Sequence, residues 1–349
     1  MPLLTTTIGA YPKPESVAVP DWFDPGAMDT SVATRDYQTA VERLGPEAEA
    51  VFAEGTRQVI EDQVSAGIDI PTDGEVRREN YVHYHCRHLE GFDFETLTHR
   101  VLRGGAYETE LPTITGPVRA REPFLPHDWR VAQSFTDKPV KITLPGPMTI
   151  ADTTADAHYG DPKALGADLA AALNAEVLAL AEAGCRHIQI DEPLFARKPE
   201  EALDYGLANI DRCWQGVPAG VTKVMHMCCG YPNHLDQEDY AKANPNAYFE
   251  LAEAVDASQV DVVSIEDAHR HNDLGLLDRF RNTAVIFGVI AIARSRVESV
   301  AEVRERLKAA LEHLPPERLM AGPDCGLGHL GRELAVKKLR VLSEAAKSV

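Results

Sequence analysis

The stretch DPKALGADLAAALNAEVLALAEAGCRHIQIDEP, residues 161–193, decides the fold. Leu165, Leu169, Leu173, Val177 and Leu180 recur at helical spacing, so residues 162–184 read as one helix. A short β-rich run at 187–190 follows almost at once and closes on the polar triplet Asp191-Glu192-Pro193. A helix that hands over to a short strand ending in acids is a repeating unit of parallel α/β sheets.

Outward from that unit, β-rich runs recur at 5–10, 67–72, 140–144, 187–190, 222–226, 261–265, 284–289 and 318–322, with Ala/Leu/Glu-rich segments between many of them. Two more helices read clearly, at 299–314 and at 331–346, the latter through Leu334, Leu339 and Leu342. Eight strands alternating with helices predict an α/β fold, a single (β/α)8 TIM barrel. A doubly wound open sheet ranks behind it, because no glycine-rich dinucleotide fingerprint follows the first strand. Segments 12–45, 92–139 and 230–248 are rich in Pro, Asn, Asp and aromatics and too long for turns. They read as loop insertions at the C-terminal mouth, candidate lids. At 349 residues the chain fits one elaborated domain over 1–349.

Hydrophobic residues make up 44 % and charged residues 26 %, which suits a large core and excludes a disordered chain. The net charge of −19, with no basic stripe, argues against nucleic acid as a partner. No run approaches the roughly 20 apolar residues of a membrane span. The start, MPLLTTTIGAYPKPE, has no basic n-region and no long apolar h-region, so the expectation is a cytoplasmic protein without a membrane partner. Six cysteines, at 86, 185, 213, 228, 229 and 325, are too few for a disulfide framework and read as reduced thiols or metal ligands.

Most of the predicted strands end in a polar or glycine-containing cluster, and a barrel gathers those ends at one mouth. His226 and Cys228 stand at i and i+2, which on a strand points both to one side. Glu266 ends the next strand and Cys325 follows two strands later. Together they offer one nitrogen, two sulfurs and one carboxylate, a set suited to tetrahedral zinc. The plainer reading is that the cysteines are small buried apolar residues and His226 a satisfied core histidine.

The stretches TTTIGAYPKP (5–14), GIDIPTDGEVRREN (67–80), KITLPGPMTI (141–150), HIQIDEP (187–193), MHMC (225–228), SIED (264–267) and PDCGLG (323–328) carry a further signal. Through them the chain resembles, nearly end to end, the catalytic domain of cobalamin-independent methionine synthase and its relatives. Those relatives include short core methionine synthases and epoxyalkane:coenzyme M transferases. The resemblance implies zinc held by His226, Cys228, Glu266 and Cys325, and a small thiol kept as thiolate near neutral pH. It implies that Glu75 and Asp191 pair with the ammonium of homocysteine, and that backbone at Ile8 and Gly9 approaches the same substrate. For the two acids, a structural role at the barrel mouth is the bland alternative.

The sequence also departs from that family. The folate enzymes' N-terminal barrel has no counterpart, and the segment after GPMTI reads Ala151-Asp152-Thr153-Thr154, without the aromatic that stacks on a pterin. Ala293, followed by Arg294, stands where the family places a proton-managing histidine, and Ala10 replaces a serine near the substrate carboxylate. Zinc and thiol activation therefore read as retained and the alkyl donor as changed. A corrinoid methyl-carrier protein needs no pterin stack, and neither does an epoxide. Arg294 is a candidate grip for a carboxylate or sulfonate, with a rim salt bridge as its ordinary explanation. His83, His85 and His88 could form a second metal site, but read more simply as surface histidines near a lid.

The leading expectation is a methyltransferase that methylates homocysteine to methionine. Its enzyme rival is an epoxyalkane:coenzyme M transferase, where the same thiolate opens an epoxide. The third reading is a non-catalytic zinc- or thiol-binding paralogue.

Overall fold

The computed structural model describes residues 2–23, 30–102 and 107–349. Its centre is a curled sheet of seven parallel strands. In chain order these are β1 (Leu4–Thr5), β4 (Lys141–Pro145), β6 (His187–Asp191), β7 (Thr222–Met227), β8 (Val262–Glu266), β9 (Ala284–Ile290) and β10 (Leu319–Pro323). Their spatial order is β1-β10-β9-β8-β7-β6-β4. The remaining strands form a small separate sheet: a long hairpin, β2 (Leu89–Leu102) and β3 (Tyr107–Ala120), with β5 (Ala155–Asp156) alongside.

The run expected as a second barrel strand, 67–72, touches both edges of the seven-stranded sheet by single parallel bridges, Thr6 to Ile70 and Thr72 to Lys141. The amide of Ile70 donates to the Thr5 carbonyl at 3.0 Å and that of Lys141 to the Pro71 carbonyl at 2.9 Å. Pro71 has no amide hydrogen to give, which limits this segment to isolated bridges rather than a ladder.

The helix Pro162–Ala183 starts as its sequence demands: the Asp161 carboxylate caps the Lys163 amide and proline fills the first turn. Gly184 ends it at φ 111°, a left-handed conformation glycine adopts without strain. Contrary to the sequence reading, this helix is long and apolar enough to cross a membrane by length and composition, but 56 % of that window is buried inside the protein. Leu165, Leu169, Leu173, Val177 and Leu180 are the buried stripe. The helix Val300–Leu311 carries a full capping box between Ser299 and Glu302, and Arg332–Lys347 is the last helix.

Two segments expected to be irregular are regular in part. Residues 12–45 contain the helix Thr30–Leu44, and 92–139 contain most of the β2–β3 hairpin and the helix Leu125–Gln133. Segment 230–248 matches its expectation, having no helix before Ala247.

Candidate metal centre and its pocket

His226 lies near the C-terminal end of β7, with Cys228 just beyond it, and Cys325 follows β10 by two residues. One ligand atom from each of these three lies within 4.8 Å of the others, and they are the one such His/Cys/Asp/Glu group among the described residues. His226 Nε2 stands 3.2 Å from Cys325 Sγ. The other ring nitrogen, Nδ1, is engaged by Ser264 Oγ at 3.0 Å, and Ser264 is the register partner of His226 on β8. That second contact fixes the ring with Nε2 toward the sulfurs.

The three groups share charge before any metal arrives. A hydrogen bond from Cys325 and the neighbouring His226 hold the Cys228 thiol well below the usual range, while the same bond to Cys228 raises Cys325. Burial pulls His226 down, but the hydrogen bond and charge of Cys228 more than offset it, so the imidazole is pushed up. A buried thiolate beside a buried imidazole and a second, half-buried sulfur is a donor set that fits a metal of intermediate softness.

Glu266 is buried at the end of β8 but does not join that group. Its Oε1 accepts the Cys229 amide at 2.8 Å and its Oε2 accepts Lys242 Nζ at 3.1 Å. Burial and the Cys228 charge raise its carboxyl to about 8. The sequence placed Glu266 at the right strand end; nothing in it revealed that Lys242, on segment 230–248, would occupy the carboxylate.

His226, Cys228 and Cys325 line one side of a cavity of about 490 Å³. Ile8, Gly9, Glu75 and Asp191, the residues expected to meet a substrate, line it too. Glu75 sits at φ 58°, an uncommon conformation for a residue with a side chain, and follows Gly74 at φ 68°. The turn aims its carboxylate inward, where Thr143 Oγ1 donates to it at 2.8 Å and Arg78 Nη1 lies at 3.4 Å. Gly9 makes room for it: a Cβ there would stand 2.6 Å from Glu75 Oε1. Asp191 Oδ1 accepts Gln189 Nε2 at 2.7 Å. Burial raises Glu75 to about 7 and Asp191 to about 6, so two carboxyls near their midpoint face one space. The adjacent Glu192 turns the other way and accepts the Met148 and Thr149 amides, holding the helix Pro147–Asp152.

Other expectations change. Arg294 is exposed and does not line the cavity; Arg197, four residues beyond Pro193, does. His83 and His85 are buried rather than superficial, and the three histidines do not converge. His83 meets Thr34 and the Thr153 carbonyl, His85 meets the Tyr81 carbonyl, and His88 stacks on Phe124. The segment after Pro147 brings no ring, yet Trp22, Phe23, Tyr81, Tyr231 and His329 all line the cavity, with Trp22 and Tyr231 nearly parallel at 6.3 Å. Near Ala293, His269 takes up space, its Nδ1 on Asp324 at 2.8 Å and its Nε2 accepting the Ala293 amide at 3.3 Å. Asp324 also collects the amides of Asp267, Ala268 and His269, fixing the residue before Cys325. Neither the ring cluster nor the Asp324 hub is a motif; both need chain segments far apart in sequence.

The chain matches the family model of the cobalamin-independent synthase, catalytic domain, over residues 3–348. It is 33 % identical over 360 aligned positions to a methionine synthase of Saccharolobus solfataricus, covering all of this chain and 96 % of that protein. A methionine synthase of Sulfolobus acidocaldarius is 30 % identical, with 97 % and 89 % covered. Among solved structures, the B12-independent methionine synthase from Shewanella sp. W3-18-1, in complex with selenomethionine, superposes with a TM-score of 0.86 at 30 % identity, covering all of this chain and 98 % of that one. Such homologues imply a methyltransferase, and over almost its whole length this chain belongs to the cobalamin-independent synthase catalytic-domain family.

Proposed function

We propose that this protein is a zinc-dependent methyltransferase that methylates the sulfur of homocysteine to give methionine, working as one domain on a sheet that closes into a barrel through residues 68–72. The observation that carries it is the joining of two half-sites in one cavity: the His226, Cys228 and Cys325 cluster, and the Glu75 and Asp191 pair. The first suits a metal and a thiol; the second suits an ammonium. The selenomethionine bound by the Shewanella relative has the form of the proposed product, with selenium for sulfur.

His226, Cys228 and Cys325 would hold the zinc, with Glu266 as a fourth ligand once it leaves Lys242. When bound, zinc supplies a Lewis acid that keeps a thiol ionised near neutral pH. The chain does the rest. Ser264 keeps Nε2 of His226 forward. Glu75 and Asp191, ionised, take the substrate ammonium and fix the sulfur end toward the cluster. The rings of Trp22, Tyr81 and Tyr231 line the cavity and would reduce the water around a bound ligand.

Coenzyme M has a sulfonate and no ammonium, so it would bring an anion toward two buried carboxyls and no cation to meet them, which disfavours the epoxide-opening reading. Nothing in the relatives points to a corrinoid carrier. Calorimetric titration of the zinc-loaded protein with homocysteine and with coenzyme M, in buffers of different ionisation heat, tests the reading. Homocysteine binding with release of a proton is the expected result. Binding of coenzyme M alone would overturn it.

A further inference from the structure

Arg197 ends the short helix Leu194–Arg197 that follows β6, and it lines the same cavity as Cys228. Among the described residues around that cavity it is the one lysine or arginine. Its Nε is sealed from solvent and has no hydrogen-bond partner. Asp152, an acid also at the cavity wall, is paired with Lys198 at 2.7 Å. Its charge is nonetheless felt at the centre, helping to hold the Cys228 thiol down and lowering Tyr81 against its burial.

Arg197 is half-buried and its guanidinium keeps its proton, and the sealed Nε–H without an acceptor is costly. Such a group in a ligand cavity is complete only when a ligand brings the acceptor. We propose that Arg197 is the anion-binding residue of this cavity, taking a carboxylate-class group of the ligand in its planar fork. This rests on reading the cavity as the site of alkyl transfer. It moves to Arg197 the grip that the sequence placed on Arg294. With Glu75 and Asp191 also at its wall, the cavity then offers two acceptors for a cation and one fork for an anion. The anion has two sources: the carboxylate of the amino-acid thiol, or an acidic group on the methyl donor.

The test uses the zinc-loaded full chain, wild type beside Arg197→Met and Arg197→Lys, titrated with three probes. Homocysteine carries thiol, ammonium and carboxylate; 3-aminopropane-1-thiol lacks the carboxylate; glutarate, added to protein saturated with homocysteine, is an anion with neither thiol nor ammonium. If the acceptor supplies the anion, Arg197→Met weakens homocysteine roughly tenfold or more and leaves the aminothiol within about twofold. If the donor supplies it, both thiols hold and glutarate binding is lost in Arg197→Met. Arg197→Lys recovers part of either loss, since it restores the charge without the fork. Unchanged affinity for homocysteine and glutarate in Arg197→Met overturns the proposal. Failure of the wild type to bind homocysteine, with glutarate on the zinc-loaded protein alone still dependent on Arg197, would instead break the acceptor reading and keep the anion site.

Discussion

The cavity has two walls built on different terms. One is made of strand ends: β6, β7 and β10 deliver Asp191, His226, Cys228 and Cys325 from a hydrogen-bonded parallel ladder. The other is made of excursions from the sheet: Trp22 and Phe23, Tyr81 to His83, Thr149 to Thr153, Arg197 and Tyr231. A strand end has a fixed direction and register, so it suits chemistry that requires atoms at set distances. An excursion can change its side chains without moving the sheet, so it suits the choice of ligand. On the proposed function, the strand-end wall would carry thiol activation while the other wall would set what donates the alkyl group.

The comparison breaks first at the metal. Cys325→Ser should lower zinc affinity by more than the roughly 10–100-fold that losing an outer partner costs, with turnover falling alongside. Metal content after dialysis, by mass spectrometry, reads it. Full zinc occupancy in that variant would remove Cys325 from the ligand set. Ser264→Ala, which only frees the ring of His226, should stay inside the 10–100-fold range.

Next comes Asp191→Asn, which keeps the shape and removes the charge. A charge-assisted bond contributes about 1.5–3 kcal/mol, so homocysteine should weaken by roughly 10-fold to 150-fold while 4-mercaptobutyrate, which has no ammonium, stays close to wild type. Equal losses for both thiols would make Asp191 a structural residue of the strand end.

The residues that resist sequence reading follow the same division. The strand-end clusters stand beside their strands in the chain, so His226, Cys228 and Cys325 are legible from spacing. Glu266 is legible as to place but not as to partner, because Lys242 reaches it from an irregular segment. The hairpin Leu89–Leu102 with Tyr107–Ala120 hides because its alternation is broken, with register shifts between Glu90 and Phe92 and between Asp93 and Thr98. The helix Thr30–Leu44 hides because it is polar and lies between Pro/Gly-containing segments. Arg197 and Arg294 are alike as letters, and what separates them is which turn faces inward. His83 and His85 are polar in type but sit on the helix Tyr81–Arg87, which Asn80 caps and the fold buries.

A pH series sharpens the proposed ammonium half-site. Burial raises Glu75 to about 7 and Asp191 to about 6, and an ammonium ligand favours their ionised forms. Homocysteine affinity should therefore weaken as pH falls through 7 and then 6, by up to about tenfold per unit for each proton taken up. Without ligand the sign is opposite: the folded protein holds protons that the unfolded chain releases at lower pH, so these two groups lower stability as pH rises from about 4 to 7. Calorimetry with and without homocysteine should show the two trends crossing. Asp191→Asn should flatten both.

The smallest effect on function, and the one that isolates structure from chemistry, belongs to Lys141 on β4. Its side chain is buried, its Nζ has no hydrogen-bond partner among the described residues, and burial drives it down to about 7 despite the Asp191 charge. In the unfolded chain the same amine titrates near 10.4. Between pH 7 and 10.4 the unfolded chain therefore binds a proton that the folded one does not, so this residue makes stability rise with pH, and below pH 7 its full penalty applies. Lys141→Met keeps the length and removes the charge, so stability near pH 7 should increase by about 1–3 kcal/mol and the alkaline rise should flatten, read by chemical denaturation across pH. Homocysteine affinity should stay within about twofold, since Lys141 does not line the cavity. A destabilised Lys141→Met would mean instead that the amine is tied to a water or anion inside the sheet. Unchanged stability with a changed homocysteine affinity would mean that the ammonium half-site reaches through Asp191 into the floor of the fold, and that the strand-end wall is tuned from below as well as from its rim.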